Sequence, residues 1–135
     1  MTTLGSREIF TASLARCVTS DAFVATFYRR FLASSDEVRA KFQHTDFAVQ
    51  HRMLLRSLEL IAAATAGDVE GLAELNARAE SHDRHHLNIK RPLYELWLDA
   101  LLETAREFDP EWDDSIEVAW RSVLGHAIDY MVRRY

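Results

Sequence analysis

The sequence predicts an all-α domain of roughly six to seven helices, and three observations carry that prediction. Helix-breaking residues are scarce, with 4 glycines and 2 prolines in 135 residues. After Gly5 neither type recurs until Gly67, and Leu72 to Arg91 is again free of both. An all-β chain needs many turns, and the residues that make turns are missing. Finally, the apolar residues return at i, i+3, i+4 and i+7, the spacing of one helical face.

The elements follow in order. A first helix over about 3–18 carries Cys17 as a small buried residue. A second, about 20–34, sets Phe23, Phe27 and Phe31 four apart, and a short helical turn follows near 36–42. The next, about 46–66, aligns Phe47, Leu54, Leu58 and Ile61. Gly67-Asp68 stops that helix and caps its successor. The successor spans about 69–86, with Leu72, Leu75, Ala79 and His82 on one face. Pro92 opens a helix of about 91–107 bearing Leu93, Leu96, Trp97, Ala100, Leu101, Thr104 and Phe108. Asp109-Pro110-Glu111 offers a capping acid before proline ahead of the last helix. That helix covers about 112–134, where Ile116, Trp120, Val123, Leu124, Ala127 and Met131 recur on one side.

Composition narrows the class. A chain of 135 residues suits one domain, 1–135, without linker or internal repeat. Apolar residues at 48% and charged residues at 27% argue against disorder. The single cysteine excludes a disulfide framework and a multi-cysteine zinc or iron–sulfur site. The longest run without Asp, Glu, Lys or Arg, Leu60 to Gly67, is far too short to span a membrane. A net charge of −5, with the basic residues dispersed, argues against nucleic acid as partner. The N-terminus has no basic-then-apolar export pattern, so a cytoplasmic location is expected.

The six histidines are His44, His51, His82, His85, His86 and His126. Three fall together in His82-Asp83-Arg84-His85-His86, at the end of a helical segment. Basic side chains there favour the helix dipole. Zinc is compatible with the i, i+3 and i, i+4 spacing, but no matched acid supports it. A haem ligand needs one imidazole projecting from a helix into an apolar slot, and His82 fits that requirement.

Four stretches together resemble the bacterial single-domain globins, the family that includes the haem domains of flavohaemoglobins. They are Thr26-Phe27-Tyr28-Arg29-Arg30-Phe31, Glu37-Val38-Arg39-Ala40-Lys41-Phe42, Leu87-Asn88-Ile89 followed by Pro92 and Tyr94, and Ala119-Trp120. The resemblance runs from about Phe23 to the C-terminus and implies a globin fold around a haem pocket. It implies non-covalent haem b with Phe42 packed against it. Tyr28 would donate to bound oxygen, Gln50 would be a second donor, and Leu54 would cover the iron. His51 competes with Gln50 on the distal side, even as a sixth iron ligand, because the spacing from Phe42 is short. The proximal ligand is implied near the Leu-Asn-Ile stretch. An ungapped count from Ile89 reaches Arg84, a shift of two gives His82, and a shift of one gives His85. His82 is preferred because it continues the face of Leu75 and Ala79. His85 and His86 would then lie near the haem edge, where either could meet a propionate. Tyr94 and Ile89 are assigned to the pocket wall.

Two departures bear on activity. The flavohaemoglobin positions that support the proximal histidine with tyrosine and glutamate correspond to Leu124 and the very C-terminus. That weakens the expectation of peroxidase-like chemistry. No flavin or nicotinamide motif is present, so nitric-oxide dioxygenation would need a separate reductase, and the reading leans away from an enzyme. The leading expectation is reversible binding of oxygen or another diatomic gas at a histidine-ligated iron. The alternative is a globin-like signalling or partner-binding module without haem, and a homodimer is compatible with either. An unrelated helical bundle is the third class.

Overall fold

The computed structural model describes residues 5–135, and the first two residues of the predicted opening helix lie outside them. Among the described residues there are seven α-helices and no strand. They are α1 (Ser6–Cys17), α2 (Ala22–Ser34), α3 (Asp36–Lys41), α4 (Phe47–Ala64), α5 (Val69–His82), α6 (Arg91–Phe108) and α7 (Asp114–Arg133). Their starts follow side-chain chemistry. The oxygens of Ser35, Asp46, Asp68 and Asp113 accept backbone N–H groups in the first turns of α3, α4, α5 and α7, at 2.9–3.4 Å. Each satisfies donors that the helix itself leaves unpaired. Pro92 sits in the first turn of α6, where its missing N–H has no consequence. Gly67, at φ 80°, makes the left-handed turn that ends α4.

Two expectations need correction here. Helix α5 ends at His82 and not near 86. The Asp83 carboxylate accepts the His85 backbone N–H at 2.9 Å and the His86 imidazole Nδ1–H at 2.7 Å, and this local turn replaces another round of helix. Asn88 then takes φ 54°, a left-handed conformation that asparagine tolerates. The second correction concerns Asp109. It caps no long helix, since α7 begins at Asp114 behind Asp113. Asp109 is instead 2% exposed and accepts from Ser13 at 2.6 Å and from Arg16 at 2.7 and 3.0 Å. Ser13 in turn accepts the Trp120 indole N–H at 2.9 Å, which ties α1 to the α6–α7 corner and to α7.

The helices pack in pairs, α1 on α7, α2 on α6 and α4 on α5. Phe10 meets Trp120 edge-on at 4.7 Å, and Phe23 meets Phe108 at 5.8 Å. A Cβ on Gly71 would stand 2.5 Å from the Leu60 carbonyl oxygen, so glycine is what lets α5 start in contact with α4. Cys17 is buried as expected, and burial pushes its thiol up to about 12. Leu72, at the start of the same face of α5, is 42% exposed, while Leu75 and Ala79 further along are buried. Among the described residues no helix is long and apolar enough to cross a membrane.

Candidate functional site

Between these helices lies a cavity with about 950 Å³ of empty space, its mouth included. Its wall draws on α2, α3, α4, α5, α6 and α7, and most of the lining is apolar. Tyr28, Phe42, Gln50, Leu54, His82, Ile89 and Tyr94 all contribute to it.

Tyr28 is 4% exposed, and its ring stands edge-on to Phe42 at 5.9 Å and Phe47 at 5.6 Å. The Gln50 side-chain amide donates to the Tyr28 hydroxyl oxygen at 3.1 Å. Burial raises the phenol to about 12, against the opposing pull of Gln50. Tyr28 therefore stays protonated, and its own O–H remains a donor. Gln50 and Leu54 are one turn apart, so both reach the cavity from one face of α4.

His51 does not line the cavity. One residue along α4 from Gln50 it is turned about 100°. Its ring stacks on the back of Tyr28, with centroids 5.1 Å apart and planes at 5°. There it lines a separate cleft with Val18, Asp21, Phe23 and Leu55.

His82, the last residue of α5, sits half-buried on the same cavity. Its Nδ1 lies 2.7 Å from the Arg78 carbonyl oxygen and 3.0 Å from the Ser81 hydroxyl. A carbonyl only accepts, so Nδ1 carries the proton and Nε2 keeps its lone pair. Burial lowers the His82 pKa, outweighing the Arg78 carbonyl, which raises it. The imidazole is therefore neutral near pH 7. Tyr94 lies against its ring at 6.2 Å and donates to the Met131 sulfur at 3.9 Å, and burial pushes that phenol to about 12.

His85 and His86 are exposed and outside the cavity wall, which corrects their expected position beside it. The early end of α5 turns them outward, and the Asp83 carboxylate raises the His86 pKa through its hydrogen bond. Among the described residues no group of three or more His, Cys, Asp or Glu is arranged to hold a metal ion, so the zinc arrangement of the cluster does not form. Sequence reasoning missed two cations in the wall, Lys41 and Arg78. Arg78 had a signal, since it precedes His82 by four residues and so shares its face.

Neither a known family model nor a curated protein sequence matches the chain. Among solved structures it is similar to a protein of Pseudomonas aeruginosa PAO1, described as structurally highly homologous to a human hemoglobin. The two share 37% identity over 97% of this chain and 98% of that one, with a TM-score of 0.92. With that identity over nearly its whole length and this helical arrangement, the chain belongs to the haemoglobin-like globins of bacteria.

Proposed function

We propose that this globin holds haem b non-covalently through His82 and reversibly binds a diatomic gas, oxygen foremost. The observation that carries the reading is a pairing within one cavity: a neutral histidine with Nε2 unprotonated, and a buried phenol whose proton is not committed to Gln50. The residues fit the group. His82 supplies a nitrogen lone pair, and Phe42, Leu54, Ile89 and Leu93 supply apolar walls. When bound, the haem supplies a ferrous centre with a coordination position for the gas.

The chain's own residues set the rest. Tyr28 and Gln50 offer hydrogen bonds to a ligand that gathers negative charge, which favours oxygen over carbon monoxide. Leu54 and Phe42 exclude water. The His82 N–H meets a backbone carbonyl and a hydroxyl, both neutral, so the imidazole is not driven toward imidazolate. Leu124 lines the cavity without a polar atom to offer it. This favours carriage, storage or sensing over oxygen activation. Nitric-oxide removal would call on a separate reductase, and a cytoplasmic setting, where oxygen and a reductase are both available, accords with this reading.

The test is reconstitution of the full chain with haemin, followed by spectra of the ferric, ferrous and carbon-monoxide forms. One haem per chain with a Soret band that moves under carbon monoxide is expected. Failure to take up haemin would end the reading in favour of a haem-free signalling or partner-binding module.

A further inference from the structure

The cavity wall contains two positive charges, and they differ in what they already hold. The Lys41 ammonium donates to the Leu87 carbonyl at 2.7 Å and the Asn88 carbonyl at 3.4 Å, bracing the loop after α5. Arg78 is held differently. Its Nε lies 3.0 Å from Glu74 Oε1, and the same oxygen accepts the Ser57 hydroxyl at 2.8 Å. Ser57 is on α4 and Glu74 on α5, so this polar group spans the contact between the two helices. The Nε atom is shut away from solvent and badly angled for a hydrogen bond to Glu74. Among the described residues nothing accepts from either Nη group of Arg78.

An arginine held beside Glu74 by charge alone, with its two Nη groups unpartnered in the wall of an apolar cavity, is arranged to receive something planar and anionic. A guanidinium fork matches a carboxylate with two parallel N–H bonds, which a lysine cannot reproduce. Arg78 also lies one turn before His82 on the same helix, and its carbonyl holds the His82 ring. One residue therefore holds the histidine through its backbone and keeps its Nη groups for the occupant.

We propose that Arg78 anchors a carboxylate of the molecule the cavity holds. This rests on the haem reading, in which the carboxylate is a haem propionate. Arg78 then takes the part that the sequence suggested for His85 or His86, which point outward.

The experiment compares haemin with haemin dimethyl ester, which lacks ionised carboxylates, in the full chain. Release of each to excess apomyoglobin is timed for wild type, Arg78→Leu and Arg78→Lys. Arg78→Leu is expected to release haemin about tenfold or more faster than wild type, the range for a charge-assisted pair. The same substitution should change release of the ester by about twofold at most, because the partner is gone. Arg78→Lys, with its charge kept and its fork lost, should fall between wild type and Arg78→Leu for haemin. If Arg78→Leu does not fold, the wild-type and Arg78→Lys comparison of the two porphyrins decides by the same logic. Equal acceleration for haemin and ester would mark a packing role and overturn the proposal, as would unchanged release of haemin. A wild-type chain that takes up neither porphyrin would overturn this proposal and the haem reading together. Uptake with unchanged release removes the proposal alone.

Discussion

The Gln50 amide meets the Tyr28 hydroxyl at 3.1 Å, and the direction of that bond decides what Tyr28 can do. An amide N–H only donates, so the phenol oxygen accepts and its own proton is left over. Tyr28→Phe in the haem-loaded chain should therefore speed oxygen release by about tenfold or more, the equivalent of losing about 1.4 kcal/mol. Gln50→Leu should act in the same direction but less, since it removes the brace and keeps the phenol. Stopped-flow displacement of oxygen by carbon monoxide measures both. An unchanged rate in Tyr28→Phe would show that the ring serves packing only.

The raised phenol pKa gives the same residue a pH signature. An ordinary tyrosine would be half ionised near pH 10. Tyr28, held by burial to about 12, keeps its proton there. Oxygen release should thus stay level between about pH 7 and pH 10. A rise in rate centred near 10 would mean that the phenol titrates as if it were in water.

His82→Gly should abolish the five-coordinate ferrous spectrum, and added imidazole should restore it. His85→Ala should leave the spectrum as it was, because His85 stands outside the cavity wall. The reverse pattern would transfer the ligand assignment to His85.

Acid should weaken the haem-free fold through His82. Its folded pKa is depressed by burial, so below the unfolded value of about 6.5 the unfolded chain binds the extra proton. The contribution is in place above that value and is lost as the pH falls. His86 has the opposite sign, because Asp83 raises its pKa, and what it adds fades as the pH rises through that value. Urea midpoints at about pH 7.5 and pH 5 should differ less in His82→Leu than in wild type. Parallel shifts in the two chains would rule His82 out as the source.

Outside the cavity lining, Asp109→Ala takes the acceptor from the Ser13 hydroxyl and leaves Arg16 only the exposed Glu111 carboxylate at 3.3 Å. Removing one partner from a buried pair costs about 3–5 kcal/mol, and the partial exposure of Arg16 brings the expectation here to about 2–3 kcal/mol. Chemical denaturation should register that loss with haemin uptake preserved. A loss below about 0.5 kcal/mol would mean that water takes over the vacated bonds.

Residue spacing alone makes the helices and much of the cavity wall legible. Leu54, Leu58 and Ile61, or Leu124 and Ala127, recur at helical intervals, and that recurrence is what buries them. The end of α5 is hidden from such spacing because it turns on one side chain, Asp83, competing with the helix for backbone donors. Asp109 misleads for a related reason. Asp before Pro is a sound local signal for a helix start, but Arg16 and Ser13, far away in sequence, recruit the carboxylate. His51 and Gln50 are neighbours in the chain, and only the exact rotation of α4 assigns one to the cavity and the other to the back of Tyr28. Arg78 is invisible to apolar periodicity, which marks the slot and passes over a charge in its wall.

The segment after α5 folds back on itself. The Ile89 N–H donates to the His82 carbonyl at 2.9 Å, the Leu87 N–H to the Ser81 carbonyl at 3.0 Å, and Lys41 fastens Leu87 from α3. Residues 81–89 are thus tied into one unit that holds the histidine, the Ile89 wall and their tether. A change in the length of this loop would therefore re-aim the histidine and reshape the pocket wall together, whereas a substitution within a helix can alter one and spare the other.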